Sequence, residues 1–169
     1  MSTPFEYYQV EDEIKDRLVQ KFTDSSLDID VIVFPDSEGD YKTGVAKPLV
    51  VVMFGSADGG KTQSTNEHSF TEELTVYCRL FTRSLRGETG CHHLAKLVKE
   101  FITGLQTTHC GTLYFRNYKF AERDDDNKIW TWDVEFGCKK LFVQTVTDVN
   151  DPDGPLLEEV IINDQILEQ

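Results

Sequence analysis

Apolar and polar positions along this chain repeat with two periods, one of three to four residues and one of two, and their succession lays out the elements. Tyr7, Val10, Ile14, Leu18 and Phe22 recur every three to four residues, which predicts an amphipathic helix with one buried face. Pro4 stands where such a helix can start, and Glu6, Glu11, Asp12 and Glu13 fill its early turns as the helix dipole favours. The helix should stop near Asp24-Ser25-Ser26. LDIDVIVF (27–34) then alternates through Leu27, Ile29, Val31 and Val33 until Pro35 ends the strand. Residues 35–47 read as a long loop. PLVVVMF (48–54) is a continuous apolar run, the pattern of a central strand buried on both faces. The Gly-, Ser- and Thr-rich stretch 55–69 reads as a second long loop.

From Phe70 the alternation resumes, with Leu74, Val76, Cys78 and Leu80 on one side and Thr75, Tyr77, Arg79 and Phe81 on the other. A second helix is expected over about 88–105, because Cys91, Leu94, Val98, Phe101 and Leu105 step by 3, 4, 3 and 4. Leu97 and Ile102 widen that stripe into a core face rather than a coiled-coil seam. GTLYFRNYKFAE (111–122) and KIWTWDVEFGCKKLFV (128–143) read as two strands, joined by an Asp- and Asn-rich turn at 123–127. Trp130 and Trp132 lie two apart and so share one face of their strand, either as core residues or with one anchoring a subunit interface. The order helix, three strands, helix, two strands predicts an α/β (α+β) domain. Its simplest form is a mainly antiparallel or mixed sheet of about five strands with two helices packed on it.

At 169 residues the chain is long enough for one domain with a substantial core, and its 39% hydrophobic and 28% charged residues are ordinary for a globular protein. No run of eighteen apolar residues suggests a membrane span, and the start MSTPFEYYQVEDE lacks the features of a secretory signal, so synthesis in a cytoplasm is expected. The net charge of −13 argues against a grip on nucleic acid, which needs clustered Lys and Arg; it suits a conduit for DNA and is equally the default of a soluble protein. More than half of that charge lies in residues 144–169, with seven acidic residues and no Lys or Arg. Pro152, Gly154 and Pro155 separate this arm from the 1–143 domain. Leu156, Leu157, Val160, Ile161, Ile162, Ile166 and Leu167 make it too apolar for a plain solvated tail. It either folds back on its own domain or docks on a neighbour, and the neighbour is favoured.

Several motifs invite chemistry and fail on context. Gly55, Gly60, Lys61 and Thr62 satisfy the phosphate-loop pattern after a hydrophobic strand, but the helix that should begin at the lysine is missing from the sequence pattern. The apolar run ending in Asp that would supply a magnesium partner, VIVFPD, precedes the loop and carries Pro35. Asp148 to Gly154 resembles a calcium loop only loosely, since the glycine falls one place late and Pro152 takes a ligand position. His92-His93 and His109-Cys110 are adjacent pairs that cannot converge on one point and have no placed third group. The spacings of 13, 19 and 28 between Cys78, Cys91, Cys110 and Cys138 match no zinc pattern, and free buried thiols are the expectation. No catalytic constellation emerges, and neither metal nor cofactor is expected.

One stretch is more specific. Thr82-Arg83-Ser84-Leu85-Arg86-Gly87 closes a strand and opens a helix that ends at Gly104-Leu105. A later strand carries Trp130-Thr131-Trp132-Asp133-Val134-Glu135-Phe136. Over roughly residues 70–140 this arrangement resembles the tail-terminator (minor tail) family of Mu-like bacteriophages. The resemblance implies a structural protein, not an enzyme, that caps the finished tail tube of a phage or phage-derived contractile apparatus. It implies a homo-hexameric ring in the virion neck, touching the tail tube protein, the sheath protein and the head connector, with DNA passing through unbound. Another head-to-tail connector or a tail-tube protein would share much of the pattern, and a nucleotide-binding protein is the enzymatic alternative. The interface candidates are Arg83, Arg86, Trp130, Trp132, Leu156, Leu157, Ile161 and Ile162, together with the two long loops.

Overall fold

The computed structural model describes residues 6–35, 46–62 and 69–143. The elements run α1 (Tyr8–Asp24), β1 (Asp30–Val33), β2 (Leu49–Thr62), β3 (Ser69–Thr82), α2 (Cys91–Ile102), β4 (Tyr114–Asp124) and β5 (Ile129–Val143). The five strands form one sheet in the order β1-β2-β3-β5-β4. β1 and β2 are parallel and every other pair is antiparallel, so the sheet is mixed, with both helices on one side of it. The fold class expected from the periodicities is therefore the one observed.

Burial follows the periodicity closely. α1 buries Val10, Ile14, Leu18 and Phe22, and α2 buries Cys91, Leu94, Ala95, Val98 and Ile102. These stripes meet Val50 and Val52 of β2, the even-numbered positions 74–80 of β3, and Val134, Phe136 and Cys138 of β5 in one core. Val51 points the other way, into a smaller cluster with Phe81 and Ile129, so the apolar run of β2 is buried on both faces as its composition requires.

Three elements differ from expectation. The stretch expected as a loop over 55–69 is strand as far as Thr62 and again from Ser69; only 63–68 fall outside the described residues. Ala57 pairs with Leu74, Asp58 with Glu73 and Gly59 with Glu72, because ladder hydrogen bonds use the backbone and β3 offers a full-length partner. The poor strand residues are accommodated at register shifts between Phe54 and Ser56 and between Gly59 and Thr62. Gly55 at the first shift has no room for a Cβ, which would lie 2.2 Å from the Tyr77 ring.

α2 is also shorter than the 88–105 expected. Its first turn is displaced by a close backbone approach: a Cβ on Gly90 would lie 2.6 Å from the Arg86 main chain. At the other end Thr103 is extended and Gly104 takes φ +86°, and together they stop the helix before Leu105. β1 is likewise reduced to four residues, although Leu27 and Ile29 still pack against the core ahead of it.

Candidate functional site

The turn between β3 and α2 is built from its own backbone and two small side chains. The carbonyls of Ser84 and Leu85 accept the amides of Cys91 (3.0 Å) and His92 (3.2 Å), two of the helix N-terminal donors that would otherwise lack partners. Gly87 adopts φ +86° and its carbonyl accepts the Gly90 amide at 3.1 Å. The Thr82 hydroxyl donates to the Ser84 carbonyl at 2.6 Å and lies 2.9 Å from the Cys91 thiol. That thiol lies 3.5 Å from the Trp130 carbonyl of β5. With these groups paired, the turn holds one shape and projects Arg83 and Arg86 outward, both exposed.

Trp130 and Trp132 lie beside this turn, opposite Thr82 and Leu80 in the β3–β5 ladder. They continue the core-facing row of Val134 and Phe136, yet both are only half-buried. Tyr118 of β4 stacks on Trp132 with ring centroids 4.6 Å apart, and His92 of α2 meets the same indole edge-on at 5.2 Å. His92 Nδ1 and the Tyr118 hydroxyl are 3.0 Å apart. Burial pushes the Tyr118 phenol up, so it stays protonated and available to hydrogen-bond. Phe120, 51% exposed, packs edge-on against both indoles at 5.5 and 6.4 Å. The Arg123 guanidinium lies 4.7 Å from the Trp130 ring, a cation–π contact. The result is an aromatic patch, part buried and part exposed, with the Arg123 guanidinium over one of its rings. The core reading of the tryptophans is met only in part, since both indoles are half-buried. His92, exposed in the first turn of α2, is part of this patch. Only the turn sequence hinted at it, by fixing where α2 begins.

The opposite face of β3, β5 and β4 carries an ionic network. Arg79 donates to both carboxylate oxygens of Asp133 at 2.7 and 3.0 Å. Arg116 and the Tyr114 hydroxyl both donate to Glu73, and Arg116 lies 3.6 Å from Glu135. Those bonds hold the Glu73 carboxyl below the usual range. All four cysteines are free and buried. Among the described residues no three His, Cys, Asp or Glu side chains converge to hold a metal, and no helix is long and apolar enough to cross a membrane.

The phosphate-loop pattern Gly55 to Thr62 lies within β2, paired antiparallel to β3, which is not the strand-to-helix turn that a phosphate cradle needs. Of the sequence-derived candidates, Trp130 and Trp132 lie on one face of β5, Trp130 opposite Thr82; Arg83 and Arg86 follow Thr82 in the exposed turn. Leu156, Leu157, Ile161 and Ile162, the calcium-like Asp148 to Gly154, and most of the 35–47 loop lie outside the described residues.

A family model described as Gp37 protein matches residues 17–164, nearly the whole chain, and the chain belongs to that family. Comparison with curated proteins gives no match. Among solved structures, one chain in "Virion of native gene transfer agent (GTA) particle" is similar at 12% identity and a TM-score of 0.49, over 81% of this chain and 100% of that one.

Proposed function

We propose that this member of the Gp37 family is a structural component of a phage-type virion, and within it the tail terminator. Copies assemble as a ring, a hexamer by analogy with other tail terminators, that caps the finished tail tube. The ring ends tube elongation and presents the neck surface to the head connector.

One observation carries the reading. The segments bearing the sequence resemblance fold as one contiguous unit: β3 runs into the Thr82–Gly87 turn, the turn into α2, and Cys91 of α2 meets the Trp130 carbonyl of β5, which lies beside β3. A unit braced in this way presents a fixed surface, and assembly needs that surface more than it needs reactive groups. The chain's charge of −13 fits a ring through which DNA slides without adhering. Location in the virion neck, after assembly in the host cytoplasm, follows from the same reading.

The test is to add purified protein to growing tail tubes and examine them by electron microscopy. The reading expects a ring at one end of each tube and arrested elongation. A chain that polymerises into tubes by itself is a tube protein, and one that binds only heads is a connector; either outcome overturns the terminator role.

A further inference from the structure

We infer that Cys110 and Cys138 are a redox pair: a peroxide joins them in an intramolecular disulfide that fastens the α2–β4 connection to β5 and stabilises the fold. The two residues stand 28 positions apart in sequence and meet in the core on the helix side of the sheet. Cys138 is fully buried and Cys110 is 8% exposed. Their backbones run side by side, since the Gly111 amide donates to the Lys139 carbonyl at 2.7 Å and a Cβ on Gly111 would lie 3.0 Å from that oxygen. The Cys138 thiol is hydrogen-bonded to the Cys110 sulfur. Both partners are held in place. The Cys110 amide donates to the Thr107 hydroxyl at 3.1 Å, and its carbonyl accepts from the Gln106 side chain at 3.2 Å. Cys138 sits in the ladder opposite Leu74. The other two cysteines are engaged differently: the Cys91 thiol faces Thr82 and the Trp130 carbonyl, and burial alone acts on Cys78.

The chemistry divides between the two sulfurs. The hydrogen bond from Cys138, helped by the Lys140 charge, holds Cys110 below the ordinary thiol range, so Cys110 supplies the attacking thiolate. Its attack on hydrogen peroxide breaks the O–O bond and leaves a sulfenic acid, and the hydroxide released takes up the proton that Cys110 had lost. Cys138 then attacks the Cys110 sulfur. The S–S bond forms, the S–O bond breaks, and the departing hydroxide leaves as water with the Cys138 proton. Two thiols thus lose two electrons and two protons while one peroxide becomes two waters. Cys138 is kept protonated chiefly by its bond to Cys110, a hold that ends once Cys110 no longer carries charge. A bridge across this span restricts the unfolded chain and so favours the folded one. It also fastens the connection whose Thr108 amide meets the Glu13 carboxylate of α1 at 2.9 and 3.2 Å, tying helix, connection and β5 together. A reducing cytoplasm keeps such thiols free and oxidising surroundings do not. The inference rests on the virion reading above only for its timing: the bond forms once a particle has left the cell.

The experiment treats purified full-length protein with hydrogen peroxide, unfolds it in iodoacetamide and maps its peptides by mass without reductant. The expected result is one linked species joining the Cys110 and Cys138 peptides, with Cys78 and Cys91 alkylated. The melting temperature of the oxidised protein should rise by about 5 °C or more and fall back on adding dithiothreitol. Cys110→Ser should show neither the link nor the rise. Peroxide that carries Cys110 on to the sulfinic acid while Cys138 is recovered alkylated overturns the pair, as do links to another cysteine or between copies. The expected link with a lowered melting temperature overturns the stabilising role. Each of these outcomes leaves the virion reading to the tail-tube experiment, which tests it separately.

Discussion

Asp133 is only 4% exposed, and Arg79, directly opposite it on β3, meets both of its oxygens. Such a pair gains little over an apolar alternative, but breaking it strands a buried charge. Arg79→Met should therefore cost about 2–3 kcal/mol in urea denaturation. Adding Asp133→Leu should recover most of that loss, since no charge is then stranded. Glu73 shows a pH-dependent version of the same logic. Hydrogen bonds from Tyr114 and then Arg116 hold its carboxyl below the ordinary 4.5, so the folded chain binds this proton less tightly than the unfolded chain does. The stabilisation is present above pH 4.5 and is lost as pH falls through the folded value. Glu73→Gln should accordingly flatten the acid limb of a stability–pH curve and leave the neutral region little changed in slope. The thiols differ among themselves. Burial pushes Cys78 up to about 12, whereas a hydrogen bond from Cys138 holds Cys110 down and pushes Cys138 far up. Timed iodoacetamide labelling of native protein should modify Cys110 ahead of both Cys78 and Cys138. Sequence alone placed Cys78 and Cys138 in the core by alternation. It could not show that Cys110 and Cys138 meet, because that contact depends on how the segment after α2 returns to β5.

At the level of elements, legibility tracked how local the cause was. Both helices, five strands and the 123–127 turn follow from spacing within each segment; Asp124 closes that turn onto Asn127 as its composition suggests. β2 beyond Phe54 was illegible because its residues are poor strand formers held in the ladder by β3. Sheet order was illegible too, since nothing in β4 announces that it takes the edge while β5 sits beside β3. The start of α2 was misplaced because Gly90 is set by contact with Arg86 and not by helix propensity. That contact is testable: Gly90→Val should destabilise by more than about 2 kcal/mol, the scale of substitutions that force the backbone to move. The strand assignment of Gly55 to Thr62 has its own consequence. Adding ATP and magnesium should leave the melting temperature of the wild-type chain and of Lys61→Ala equally unmoved. A nucleotide-induced rise in the wild type that Lys61→Ala abolishes would reinstate the phosphate loop.

For the whole molecule, the sheet with two helices on one face accounts for the chain's stability, and the surface end where β3, α2, β4 and β5 converge accounts for its proposed role. The candidates Trp130 and Trp132 were legible from the resemblance, yet the patch they join also needs His92, Tyr118 and Phe120, which only tertiary packing brings together. The most direct test of the ring is the native mass of full-length protein, alone and bound to isolated tail tubes. The account predicts six copies of the 19.4 kDa chain in one closed particle, in free solution or at the tube end. A protein that stays a single 19.4 kDa chain in both settings would contradict it.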